Sequence, residues 1–262
     1  MPKRIIFHAG FHKTGTTSVQ ATLRENRPLM KQHIALRRRW HMKELMSATR
    51  GYSSWRDPLT LIKVQDRFEQ VMDGVPPMPE RTLIMSAEEL CGHLPGRGDL
   101  MDYSAAPILL YSFWEIAQRR FPDAEILIYL TTRGADAWLT SAYWEHVQSS
   151  DMTLDLDDFR KKYRGASDLD AMSAEIASRL PCAVHTAALE ECRALPHGPA
   201  DPLLDLCDLP LSLRAQLVRQ PPANKTLEAP VLHELLAANR THSDPEARTS
   251  AKQAILAEAL GA

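Results

Sequence analysis

Apolar positions along this chain follow two rhythms. Short continuous runs appear at "RIIFHAG" (4–10), "RTLIMSAEEL" (81–90) and "AEILIYLTTR" (124–133). Apolar runs of this length, bounded by glycine, proline or charge, predict strands buried on both faces. Between them the spacing changes to three and four. Val19 and Leu23 share one face of a helix over 17–27, which Pro28 closes or redirects. A helix over 59–73 ends at Gly74 and the breaker run "VPPMPE", and Leu109, Phe113 and Ile116 line one side of a helix over 105–120. After the strand at 124–133, "ADAWLTSAYWEHVQ" (135–148) returns as a helix.

The last third is less regular. "CAVHTA" (182–187) reads as a final strand and "DPLLDLCDL" as a short helix. Residues 221–240 read as a loop feeding a helix with Leu232, Leu235 and Leu236 inward. The prolines between 196 and 230 suggest a chain wrapping over the surface. Strands alternating with helices predict an α/β protein, three layers α/β/α around a central parallel sheet. No repeat, linker or second core is apparent, so a single domain over 1–262 is expected.

Composition narrows the function classes. The 262 residues carry a formal net charge of −2, with 44% hydrophobic and 24% charged positions. That balance offers no global case for nucleic acid or an anionic membrane. The basic clusters "RRRW" (37–40) and "FRKKYR" (159–164) read first as solvated helix faces, with contact to an acidic substrate as the alternative. Cys91, Cys182, Cys192 and Cys207 lack metal-ligand spacing and read as free thiols in a reducing, cytoplasmic setting. No apolar run approaches the roughly 20 residues that span a bilayer.

The chemistry concentrates in "FHAGFHKTGTTS" (7–18), between a strand and a helix. Unpaired N–H groups and the helix dipole make such a junction an anion site. Gly10 and Gly15 allow tight turning, Lys13 adds a mobile cation, and Thr14, Thr16, Thr17 and Ser18 add hydroxyl donors. Together they point to a phosphate. The Walker A order puts lysine directly after the second glycine. Here Lys13 precedes Gly15 by two, and no strand ending in Asp follows. A magnesium-dependent nucleotide hydrolase fits poorly.

"HKTGTTS" ahead of a helix resembles the 5′-phosphosulfate loop of sulfotransferases that use 3′-phosphoadenosine 5′-phosphosulfate (PAPS). A second motif completes the resemblance: Arg133 ends a strand and Ser141 follows eight residues on, in "TTRGADAWLTSAYWEHV". The likeness runs from residue 4 to the C-terminal "NKTL" and its helix, is clearest over 4–27, 82–90 and 124–148, and is nearest in style to small bacterial members. It implies a P-loop-like fold and sulfuryl transfer from PAPS to a hydroxyl or amine, with adenosine 3′,5′-bisphosphate as product and no metal. Lys13 would stabilise charge on the leaving oxygen, the stretch from Thr14 to Ser18 would hold the 5′-phosphate, and Arg133 and Ser141 the 3′-phosphate. Lys225, next to Asn224, stands where relatives bring a C-terminal loop over the cofactor.

The base that takes the acceptor proton has three candidates. Glu88 and Glu89 sit at the exit of the 81–90 strand, where parallel strands line a ligand crevice, with Glu88 preferred. His12 competes, although many relatives carry proline there. His8 reads as a core histidine and His146 as a residue of the acceptor cleft. At least two of Trp138, Tyr143 and Trp144 read as core, leaving one for adenine. Segments 30–80 and 150–180 are expected to line the acceptor side, which suits a glycan, a glycolipid or a small phenol equally. A nucleotide-dependent phosphotransferase and a non-catalytic nucleotide-binding protein of the same fold are the alternatives.

Overall fold

A computed structural model describes residues 1–220 and 227–260; Asn224 and Lys225 lie outside the described residues. Five strands, β1 (Arg4–His8), β2 (Ile34–Arg38), β3 (Thr82–Ser86), β4 (Glu125–Thr132) and β5 (Ala183–Ala188), form one parallel sheet in the order β2-β3-β1-β4-β5. The register sets Ile5 beside Leu83 and Ile126, and Ile6 beside Ile84 and Leu127. Alternation then sends side chains to opposite faces. Ile5, Phe7, Leu83, Met85, Ile128 and Leu130 enter one apolar cluster, whereas Ile6, Ile84, Leu127 and Tyr129 enter another.

Each cluster is closed by helices, as a three-layer α/β/α arrangement requires. Val19 and Leu23 of α1 (Thr16–Glu25) cover the Ile6 face, together with Leu203 and Leu204. The Ile5 face is covered by α2 (Lys43–Trp55), α3 (Pro58–Asp73), α4 (Ala106–Arg120) and α5 (Ala135–Ser149). Phe68 of α3 and Phe113 of α4 stack against Phe7, ring centroids 5.8 and 6.2 Å away. Burying each of these rings stabilises the fold by about 2–3 kcal/mol. The proline-rich segment after residue 196 is thus part of a packed layer as well as a surface wrap: Leu203 and Leu204 are fully buried.

Two elements depart from the sequence expectation. "RRRW" is not a helix face: Arg37 and Arg38 belong to β2, and Arg39 opens the turn that follows. An edge strand pairs on one side only and leaves side chains partly exposed, so it tolerates charge that would disqualify a central strand. The strand at 81–90 stops at Ser86, and Glu88–Cys91 forms a tight helical turn. The cluster at 159–164 does lie on a helix, with Phe159 and Tyr163 buried and Lys161, Lys162 and Arg164 exposed. Among the described residues no helix is long and apolar enough to cross a membrane.

The sheet order locates the site. The chain places β2 and β3 on one side of β1, then crosses to place β4 and β5 on the other. After β1 it passes to α1 over one face, and after β4 to α5 over the other. Loops that part in this way open a crevice at the carboxyl ends of β1 and β4.

Candidate active site at the carboxyl ends of the strands

The loop between β1 and α1 is held from outside. Trp138 Nε1 donates to the His12 carbonyl at 2.9 Å, and Arg133 Nη1 to the Lys13 carbonyl at 3.0 Å. The Tyr103 hydroxyl accepts the His12 N–H at 3.1 Å. Thr14 is turned inside the loop, its hydroxyl donating to the Phe11 carbonyl at 2.6 Å and lying 2.7 Å from Thr131 Oγ1. It braces the loop and does not line the cavity, unlike its neighbours.

Helix α1 begins with Ser18 and Val19 donating to the Gly15 carbonyl. Among the described residues, no backbone carbonyl accepts an N–H from Lys13 to Thr17. These free donors, with the helix dipole behind them, form an anion cradle. Two left-handed residues shape it, Lys13 at φ 68° and Gly15 at φ 95°. A Cβ at Gly15 would also come within 2.8 Å of Leu189 Cδ1. The buried hydroxyl of Thr16 has no partner among the described residues, as expected of a donor kept for a ligand.

The cradle opens into a cavity of about 1090 Å³. Its wall includes His12, Lys13, Gly15, Thr16, Thr17, Ser18, Glu88, Glu89, Arg133 and Ser141, so residues far apart in sequence meet in one space. The sheet lays the wall out in order. Arg39 follows β2, Glu88 and Glu89 follow β3, the cradle follows β1, Arg133 follows β4, and Leu189 and Arg193 follow β5. Lys13, Arg39, Arg50, Arg97, Arg133, Arg193 and Arg219 face only three carboxylates, Glu88, Glu89 and Glu145. That surplus of positive charge suits a ligand with several anionic groups.

The three carboxylates differ in their partners. Glu145 Oε2 lies 3.0 Å from Lys13 Nζ, and Arg97 stands 4.0 Å from its other oxygen. Lys13 holds its pKa below the ordinary value, against the upward pull of burial. Glu89 is buried and paired with Arg39 at 2.7 Å and Arg50 at 3.3 Å. Glu88 has no ion pair or side-chain hydrogen bond among the described residues. Burial, then the neighbouring Glu89, pushes its pKa up to about 7.

His12 and His8 are poor bases near neutrality. Burial, with His93 and Arg97 nearby, takes His12 down to about 3, and its Nδ1 lies 3.2 Å from the Tyr103 hydroxyl. His8 is buried with Nδ1 2.8 Å from Ser86 Oγ, and burial takes it to about 3. His146 does not line the cleft as expected: it is fully buried, with Nε2 2.7 Å from the Pro95 carbonyl.

The aromatic residues divide as predicted. Trp138 and Tyr143 are buried, and Trp144 lines the cavity. The acceptor-side expectation needs correction: Arg39 and Arg50 come from 30–80, but among the described residues none of 150–180 reaches the cavity wall.

Sequence reasoning missed Arg50, Arg97, Arg193 and Glu145, and held Arg39 only as the minor reading of "RRRW". Glu145 alone had a local signal, since it lies one helical turn beyond Ser141 on the same face of α5. Arg50, Arg97 and Arg193 are brought in by tertiary packing and carry none. Among the described residues no group of three or more His, Cys, Asp or Glu side chains is placed to hold a metal ion. The chain matches no protein-family model, and no curated protein matches its sequence.

Proposed function

We propose that the protein is a PAPS-dependent sulfotransferase on a P-loop-like fold, transferring a sulfuryl group to a hydroxyl or amine of a small-molecule or glycan acceptor. One observation carries the reading: Lys13, the stretch Gly15–Ser18, the Arg133 and Ser141 pair and a carboxylate with no ion pair among the described residues share a single cavity. The cradle offers free N–H groups and the hydroxyls of Thr16, Thr17 and Ser18 to a 5′-phosphate. Arg133, with a buried Nε that lacks a partner, and Ser141 stand beyond it, where a 3′-phosphate would be selected. Trp144 offers the cavity an aromatic face, which suits adenine. The four free cysteines fit a reducing, cytoplasmic setting.

The bound donor would supply an activated sulfuryl group whose S–O bond to phosphate breaks as the acceptor's S–O or S–N bond forms. The chain's own residues have separable tasks. Lys13 Nζ, held by Glu145, supplies positive charge beside the cradle, where negative charge collects on the leaving oxygen. Glu88, with a pKa near 7, is set to accept the acceptor proton on its carboxylate. Glu89, already second to Glu88, is committed to two arginines, and His12 binds a proton too weakly.

A thermal-shift titration tests the assignment. Adenosine 3′,5′-bisphosphate is expected to stabilise the protein without magnesium, and ATP with Mg²⁺ to have a much smaller effect. Stabilisation by ATP–Mg²⁺ alone would point to the phosphotransferase alternative. Bisphosphate binding without transfer of labelled sulfate to any acceptor in a host extract would point to a non-catalytic nucleotide-binding protein.

A further inference from the structure

The sheet order separates the cavity into two ends. Arg133, Ser141 and Arg193 belong to the end above β4 and β5, and Arg39 stands above β2 at the other. Neighbouring parallel strands are about 4.8 Å apart, so β2 and β1 are separated by roughly 10 Å. Arg39 is therefore remote from the nucleotide end and close to Glu88, which follows the adjacent strand.

Glu89 is 6% exposed and gathers two guanidiniums, Arg39 through Nε and Arg50 through Nη1, on one of its oxygens. Two cations on one carboxylate leave one positive charge unmatched. Each guanidinium carries five N–H donors in a rigid fork. Among the described residues neither makes a side-chain hydrogen bond beyond Glu89. Both side chains line the cavity, so their remaining donors face it with no protein acceptor among the described residues. A buried carboxylate that fixes two arginines at a cavity wall resembles an oxyanion receptor more than a surface ion pair, whose partners are usually both exposed.

We infer that Arg39 and Arg50, held by Glu89, form a recognition site for an oxyanion group on the acceptor, so that the substrate is a hydroxyl or amine compound that also bears a carboxylate, phosphate or sulfate ester. The inference rests on the sulfuryl-transfer reading and narrows its acceptor from glycan, glycolipid or phenol in general to anionic members of those classes. Glu88 takes the acceptor proton, and the arginine pair orients the molecule through a group that does not react.

The test uses three matched phenols, 4-hydroxyphenylacetate, 4-hydroxybenzylphosphonate and the neutral 4-hydroxyphenylacetamide. Each is titrated by calorimetry into full-length protein saturated with adenosine 3′,5′-bisphosphate. At least one anion is expected to bind roughly ten- to a hundredfold more tightly than the amide, the range of a charge-assisted hydrogen bond. Which anion wins separates a carboxylate from a phosphate-like group. Arg39→Gln, in an exposed side chain that leaves Arg50 on Glu89, is expected to cut that advantage at least fivefold while leaving bisphosphate affinity unchanged. Arg50→Gln combined with Glu89→Gln removes the second cation without stranding a buried charge, and is expected to do the same. No anion advantage in the wild type, or the same advantage in both variants, overturns the acceptor assignment alone. Failure to bind bisphosphate at all overturns the transfer reading and the assignment with it.

Discussion

Replacing Glu88 with glutamine should move stability and activity in opposite directions. Glu88 titrates at about 7 in the fold against an ordinary 4.5, chiefly through burial and then through Glu89. A raised carboxyl pKa favours the protonated folded form. The stability linked to this group is therefore complete below about pH 4.5 and is lost as pH rises through about 7. The full loss is at most about 3 kcal/mol at pH 8, and cavity water reduces it to about 1–3 kcal/mol. For a chain of this length about 1 kcal/mol corresponds to roughly 2 °C.

Glutamine cannot ionise, so Glu88→Gln should raise Tm by roughly 2–6 °C at pH 8 and change it little at pH 5. The same substitution removes the proposed proton acceptor and should lower kcat by roughly 10²–10⁴. In the wild type, kcat/KM should climb about tenfold from pH 6 to pH 8, as the ionised fraction rises from about a tenth to about nine tenths. Calorimetric melting across pH 5–8, beside initial rates with labelled PAPS, reads all three effects. A variant less stable than wild type at pH 8, or one that keeps the wild-type pH profile, would refute the reasoning.

Other expectations concern the cradle and the nucleotide. Lys13→Ala should reduce turnover by about 10² or more while weakening adenosine 3′,5′-bisphosphate less than tenfold, measured by single-turnover rates beside calorimetry; an unchanged rate would remove Lys13 from the chemistry. Arg133→Ala should weaken bisphosphate by roughly ten- to a hundredfold more than adenosine 5′-phosphate, which loses only the brace on the Lys13 carbonyl, and equal losses for both would place Arg133 away from the 3′-phosphate. Gly15→Ala forces a Cβ into left-handed backbone at 2.8 Å from Leu189 Cδ1. It should cost about 1–2 kcal/mol in denaturant melts and abolish bisphosphate stabilisation, and a variant that binds normally would show that the turn is not essential to the cradle.

Much of this protein could be read from local pattern. The runs at 4–10 and 124–133 become central strands because residues buried on both faces must be apolar wherever the chain goes. The spacing of Val19 and Leu23 made α1, and that of Leu109, Phe113 and Ile116 made α4. The phosphate cradle was equally local, since its glycines, lysine and hydroxyls lie within nine consecutive residues. β2 escaped notice because an edge strand needs only half of the apolar signal, and "IALRR" hides it behind arginines.

Tertiary structure decided what surrounds the cradle. No periodicity relates Arg39 to Glu89, 50 positions later, or Lys13 to Glu145, 132 positions later. Their pairing depends on the order β2-β3-β1-β4-β5, a result of non-local strand pairing. The same order separated two neighbouring glutamates, both carried as candidates by the sequence with Glu88 preferred. Glu89 turns to the arginines of the β2 exit and α2, while Glu88 faces the cavity with no ion pair among the described residues, and burial beside a second carboxylate raises its pKa to about 7. Residue type and local spacing determined that free backbone donors, hydroxyls and a lysine gather at this turn; the packing of distant segments around that point decided which charges are paired beside it.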